Sequence, residues 1–215
     1  MNTAAHTLNP LRLHYNPMSA SARRVVMTAR NLGVPIELVM VVNMTEPIAH
    51  ARLLKINPNA KIPVLEHGDF VLWESCAIMQ YLCELTPSQA LHPSAAQARA
   101  DVNRWLFWCA QHLSPALGIL GWENFMKPMY GFGDADPREL ERGERETHKV
   151  AAVLDTHLAR RTYLCGDNLS LADIAIITPF AMREPSKMPL QGYAHLQAWI
   201  ARIEGTDAWQ QTKVE

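Results

Sequence analysis

Asn57-Pro58-Asn59-Ala60-Lys61-Ile62-Pro63-Val64-Leu65, followed by Glu74-Ser75 at the head of an apolar helix, is the stretch whose reading decides the fold. A proline between two short apolar segments removes a ladder donor and is unusual inside a strand. Pro63 therefore reads as a turn, with a cis bond as one form of it, and neighbouring backbone groups are left to bind something else. An acid and a serine at a strand-to-helix junction supply partners for an amine and a carboxylate. Together these parts describe a pocket for a small zwitterionic peptide.

Upstream of that stretch the chain alternates in type. Leu11 to Tyr15 alternates as a strand does. Asn16-Pro17-Met18-Ser19 is turn chemistry. Ala20 to Leu32 reads as a helix with Val25, Val26, Ala29 and Leu32 on one face, stopped by Gly33. Ile36 to Val42 is a second strand, and a short helix runs from about Glu46 to Ile56. Ile62 to Leu65 and Phe70 to Trp73 are short strands around a His67-Gly68-Asp69 turn, and Ser75 to Leu85 is a helix. The order is βαβαββα, an α/β thioredoxin-like domain with a mixed four-stranded sheet, assigned to residues 1–85.

Downstream, Thr86-Pro87-Ser88 and Leu91-His92-Pro93 mark a linker, residues 86–94. No convincing strand follows. Residues 95–215 read as an all-α domain. Its helices are Ala95 to Ile119 with a bend at Pro115, Pro137 to Arg161 capped by Asp136, Ser170 to Met182, and Leu196 to Ile203. A last turn spans Thr206 to Thr212. There is no internal repeat.

Composition narrows the function classes. Hydrophobic residues make up 48% and charged ones 19%, as in a packed globular protein. A formal net charge of -1 without a basic tract argues against nucleic acid and anionic membranes as partners. The longest apolar runs are too short to span a bilayer, and Met1 to Pro10 lacks a secretory pattern. Four scattered cysteines, Cys76, Cys83, Cys109 and Cys165, suit a reducing, cytoplasmic compartment and read as buried small hydrophobes. Nine histidines without paired short spacing give no metal site.

The chain resembles the glutathione transferase superfamily along essentially its whole length. Asn57 to Leu65 is similar to the stretch around the family's cis-proline, which would be Pro63. Glu74-Ser75-Cys76-Ala77-Ile78 resembles its acid-serine signature. Leu169-Ser170-Leu171-Ala172-Asp173-Ile174-Ala175 resembles the buried capping box of its helical domain. Tyr15-Asn16-Pro17-Met18-Ser19 with Arg23-Arg24-Val25 resembles serine-type, theta-like and bacterial members, in which the first serine after strand one touches the glutathione sulfur. Ser19 holds that place. Ser21 and Ala22 stand where many relatives carry other residues, which leaves Ser21 as a second hydroxyl.

The resemblance implies glutathione as co-substrate, a small hydrophobic electrophile as second substrate, and a homodimer. The implied reaction needs a thiolate, whereas a free thiol has a pKa near about 8.5. A charge-assisted hydrogen bond from Ser19, at the start of a helix whose dipole favours negative charge, shifts that balance. Ser19 would also be expected simply to cap the helix, and the two roles are compatible. Ser75 would receive the γ-glutamyl carboxylate and Glu74 the ammonium. Ile62 and Pro63 would pair the cysteinyl backbone as an added strand does, and Lys61 would neutralise the glycine carboxylate.

Met18, Trp108 and His112 are candidates for the second-substrate pocket, expected between the halves. Trp105, Trp108 and His112 share a helix face, opposite a core face of Leu106, Cys109, Leu113 and Leu117. The segment Trp122, Phe125, Met126, Met129 and Tyr130, with Gly131 and Gly133, is expected to pack, a flexible lid being the alternative. Ser170 and Asp173 are read as a structural cap. Rival readings are another glutathione-dependent enzyme (isomerase, peroxidase or disulfide reductase) and a non-catalytic module on the same fold.

Overall fold

A computed structural model describes residues 10–42 and 46–213. The chain forms two compact units, one running to Leu85 and the other spanning Thr86–Lys213.

The first unit carries β1 (Leu11–Tyr15), α1 (Ala20–Leu32), β2 (Glu37–Met40), α2 (Pro47–Ile56), β3 (Val64–His67), β4 (Phe70–Trp73) and α3 (Ser75–Glu84). The βαβαββα order read from the sequence is the observed one. The sheet order is β2-β1-β3-β4, with β2 parallel to β1 and the β3–β4 hairpin antiparallel to its neighbours. A parallel neighbour requires a crossover, and α1 supplies it. Leu13, Leu65, Val25, Ile78 and Leu82 are fully buried and form the core of this unit. Gly33 ends α1 at φ +66°, where its N–H reaches Arg30 O and the Val34 N–H reaches Ala29 O. A residue with a Cβ is disfavoured in that left-handed position. The expected stretch Ile36 to Val42 shortens to Glu37–Met40, and the strand expected from Ile62 begins at Val64, after the proline.

The second unit is helical: α4 (Ala96–Trp108), α5 (Ser114–Gly121), α6 (Lys127–Met129), α7 (Pro137–Leu158), α8 (Leu171–Ile177), α9 (Ala194–Glu204) and α10 (Asp207–Gln210). Helix α8 is buried at every position. Where a bend is expected at Pro115, the chain carries a widened turn just before the proline. Residues Cys109–Leu113 are π-helical, and the Ser114 N–H reaches back to Cys109 O. A second π segment, Trp122–Met126, precedes Pro128 in the same way, with Lys127 N–H on Trp122 O. Proline lacks an N–H and crowds the carbonyl four residues back. A wider turn ahead of it relieves that crowding without ending the helix.

Asp173 anchors this unit. Its carboxylate is fully buried and accepts from Ser170 N–H (3.0 Å), Ser170 Oγ (2.7 Å), Leu164 N–H (2.9 Å) and Trp199 Nε1 (3.0 Å). Burial pushes its pKa up, and the donors pull it back. The structural cap expected at Ser170–Asp173 is present and ties the turn at Leu164 and helix α9 to α8.

Two expectations need correction, on the cysteines and on the aromatic segment, and a third holds. Cys83 and Cys109 are buried, but Cys76 and Cys165 are only partly so. Burial, and next to it Asp101, raises the Cys165 thiol to about 12, which keeps it protonated. The face shared by Trp105, Trp108 and His112 is present: Trp105, 6% exposed, packs edge-on to Trp108 and His157, and the Trp108 ring lies beside His112. The aromatic and methionine segment does not simply pack. Trp122, Met129 and Tyr130 are exposed, Phe132 beside them is 64% exposed, and the rings lean on one another.

Candidate functional site

Strand register brings the predicted residues of the first unit to one end of its sheet. His14 lies opposite Val64, and Val64 opposite Trp73. The segment entering β3, Lys61-Ile62-Pro63, therefore meets the segment leaving β4, Glu74-Ser75. Tyr15, at the end of β1, leads through the Asn16–Met18 turn to Ser19 at the same edge. Helices α1 and α3 both begin there. This is the end of an open sheet where connecting segments gather to hold ligands, and two helix N-termini make it favourable to negative charge.

Ser19 is the N-cap of α1. Its Oγ accepts the Ala22 N–H at 3.2 Å, and its own N–H donates to Asn16 O at 3.0 Å. A hydroxyl has one proton and two lone pairs. The cap occupies a lone pair, and the proton has no acceptor among the described residues. Ser21 is two positions further on, inside the first turn of α1.

The Ile62–Pro63 bond is cis. Ile62 is buried with Leu53 and Ala60, and Val41 and Ile56 pack against them. The Lys61 side chain is exposed. Glu74, the N-cap of α3, sits at φ +73°, ψ 109° and makes no side-chain cap bond. A non-glycine residue in that region is strained by about 1–3 kcal/mol. Ser75 follows it, 8% exposed. Neither the Glu74 carboxylate, the Ser75 hydroxyl nor the Lys61 ammonium has a partner among the described residues. Arg24, buried in α1, reaches Cys76 Sγ at 3.7 Å and so connects the helix after Ser19 to the helix of Ser75.

Two residues at this edge escaped the sequence reading as side chains with a task. Asn57 is 3% exposed. Its Nδ2 donates to Lys61 O (2.7 Å) and its Oδ1 accepts from Asn59 N–H (3.0 Å), which shapes the loop before Pro63. Asn16 does the same before Ser19, with Oδ1 accepting from Met18 N–H (2.9 Å) and Nδ2 donating to Val41 O (2.9 Å). Both are Asn-Pro pairs in which the side chain takes the N–H two residues on, the Asx-turn geometry. That dipeptide is the signal that could have found them.

The weaker candidates divide between the units. Met18 is 39% exposed beside Ser19. Trp108 is half-buried in the second unit. It lines a groove of about 640 Å³ with Arg104, Trp105, Val153 and His157. It also lines a cavity of about 380 Å³ with the exposed His112, Pro115, Arg142 and Lys149. Among the described residues no group of three or more His, Cys, Asp or Glu could hold a metal ion. None of the described helices is long and apolar enough to cross a membrane.

Residues 18–85 match the model of the glutathione S-transferase N-terminal domain, and residues 109–207 that of the C-terminal domain. Glutathione S-transferase F10 of Arabidopsis thaliana is 33% identical over 206 residues, covering 94% of this chain and 95% of that protein. The chain belongs to the glutathione S-transferase family. Human glutathione S-transferase theta-2 is 31% identical over 90% of this chain and 80% of its own. Dichloromethane dehalogenase of Methylorubrum extorquens is 30% identical over 99% of this chain and 79% of its own. Among solved structures, glutathione S-transferase I from maize, in complex with an atrazine glutathione conjugate, superposes with a TM-score of 0.84. That match is 26% identical and covers 95% of this chain and 96% of the other. Family membership makes the chain a glutathione transferase, built as a thioredoxin-like domain followed by a helical one.

Proposed function

We propose that this transferase binds glutathione at the β1, β3 and β4 edge of its first unit, holds the sulfur as a thiolate with Ser19, and transfers it to a small hydrophobic electrophile. One observation carries the reading. The Ser19 proton, the Lys61 ammonium, the Glu74 carboxylate and the Ser75 hydroxyl lack partners among the described residues, and the register gathers them at one sheet end. A γ-linked tripeptide offers what they lack: a thiolate, a carboxylate, an ammonium and a second carboxylate. Ser75 takes the γ-glutamyl carboxylate at the start of α3, and Glu74 takes the ammonium. Lys61 takes the glycine carboxylate, and the backbone of Ile62 before Pro63 pairs the cysteinyl residue.

Ser19 donates to the sulfur. The Ala22 N–H on its other side orients the hydroxyl, because the lone pair used in the cap fixes where the proton can point. A charge-assisted bond of about 1.5–3 kcal/mol lowers a thiol pKa by about one to two units. The thiolate then attacks carbon, and the electrophile's leaving group departs with the bonding pair. The dehalogenase among the relatives is in keeping with a carbon–halogen bond as the one broken. Met18, beside Ser19, is the residue of this unit proposed to touch the electrophile. The reading includes a cytoplasmic homodimer.

The test is a conjugation assay with a model aryl halide, run beside retention on immobilised glutathione. Retention with turnover supports the reading. Retention without turnover favours a binding module, and loss of neither in Ser19→Ala removes Ser19 from its role.

A further inference from the structure

Ser19 is held in place by its neighbour three residues back. The turn from Asn16 to Ser19 contains Pro17, which has no N–H. The two remaining donors both go to Asn16: Met18 N–H to its Oδ1 at 2.9 Å, and Ser19 N–H to its carbonyl oxygen at 3.0 Å. The Asn16 amide then crosses to the chain leaving β2, with Nδ2 donating to Val41 O at 2.9 Å. Val41 is itself fixed, since its N–H donates to Tyr15 O at 2.8 Å. Its side chain packs against the cluster of Leu53, Ala60 and Ile62.

We propose that Asn16 is a positioning residue for the thiolate: through Val41 it sets the distance between the Ser19 hydroxyl and the Ile62 backbone that carries the cysteinyl residue. The inference rests on Ser19 donating to the sulfur, as proposed above. The sulfur is placed from the Ile62 side and the donor from the Ser19 side, so their separation depends on what couples the two segments. Asn16 joins them through two hydrogen bonds of ordinary length and one packed side chain. A hydrogen bond weakens steeply once distance or angle departs from its optimum, and a misplacement of about 1 Å can cost about a hundredfold in rate. Asn16 therefore acts on the ionisation of bound glutathione without touching it. Glutathione binding, which draws on Lys61, Ile62, Glu74 and Ser75, depends on Asn16 far less.

The experiment follows the ultraviolet absorbance of the thiolate of bound glutathione against pH for the full chain and for Asn16→Ala, Asn16→Ser and Ser19→Ala. Calorimetric affinity for glutathione and the thermal midpoint are read alongside. Asn16→Ser retains a hydroxyl to accept the Met18 N–H but cannot reach Val41, so it reports on the tether should Asn16→Ala fail to fold. The expected result is an ionisation midpoint raised by about one unit in both Asn16 variants, matched by a roughly tenfold fall in kcat at neutral pH. KM for glutathione stays within about threefold. If Asn16→Ser leaves midpoint and kcat unchanged while Ser19→Ala shifts them, the tether has no part in positioning and the inference is overturned. If Ser19→Ala shifts neither, the Ser19 reading falls and the inference with it.

Discussion

Replacing Ser19 by aspartate separates the two tasks of that side chain. The cap is one acceptor, Oγ on the Ala22 N–H at 3.2 Å. Aspartate caps as well as serine, and its charge at the head of α1 adds about 0.3–1 kcal/mol. Stability should therefore hold or rise. The other task fails: an ionised carboxylate has no proton for the sulfur, which removes a charge-assisted bond of about 1.5–3 kcal/mol. That alone raises the bound thiol by about one to two units, and repulsion between carboxylate and thiolate raises it further. Turnover at neutral pH should fall about a hundredfold or more. Ser19→Gly is the companion variant, because glycine costs a cap only a few tenths of a kcal/mol and brings no charge. Its thiol should rise by about one to two units without the extra repulsion. Urea unfolding, the thiolate absorbance titration and an aryl halide assay give the three readouts. A Ser19→Asp protein that is stable and still ionises glutathione as the parent does would refute the reasoning. So would a rate loss that merely tracks lost stability.

Glu74→Gly should relieve the φ +73° strain, worth about 1–3 kcal/mol, against glycine's backbone cost of about 0.5–1 kcal/mol. The unfolding midpoint should stay or rise while glutathione affinity drops about tenfold or more, and a parallel loss of both would contradict the assignment. Glu123 is buried, and its carboxyl is held below the ordinary 4.5 by the Asp136 N–H at 2.7 Å and then by Lys127 at 3.0 Å. Its folded pKa thus lies below its unfolded one, so it stabilises above that ordinary value and the contribution disappears as pH falls through the folded value. The stability gap between the parent and Glu123→Gln, measured by urea unfolding, should accordingly close on acidification; a gap that widens would show the pairing to be misread. Gly143→Ala should destabilise by about 1–3 kcal/mol, because its Cβ would come within 2.8 Å of Leu120 Cγ and Cδ2 and 3.0 Å of Ile119 Cγ2. A raised thermal midpoint would mean that α5 and α7 can spread.

Most of the first unit was legible because its signals are local. Alternation in Leu11–Tyr15, the stop at Gly33 and the proline at position 63 each act within a few residues. The cluster around Asp173 was legible in part. The spacing Ser170 to Asp173 announces a cap, but Leu164 N–H and Trp199 Nε1 arrive from elements that no local pattern links to it. The long helix from Ala95 and an irregularity at Pro115 were legible, but its form was not: the π segment Cys109–Leu113 lies just before the proline, and no residue pattern announces it. That same widening rotates the residues downstream of it, so helical spacing counted through Cys109–Leu113 misplaces faces. The bridge from Asn16 to Val41 joins residues 25 apart, which no local pattern links, and the left-handed backbone at Glu74 falls on a residue type that gives no sign of it.

Calorimetric titration of glutathione into the chain, in two buffers of different ionisation enthalpy, tests the central claim most directly. A sulfur held as a thiolate releases its proton on binding, so the heat should differ between the buffers and the difference should shrink in Ser19→Ala. Binding heat that is the same in both buffers would contradict the account, and absence of heat would contradict it more broadly.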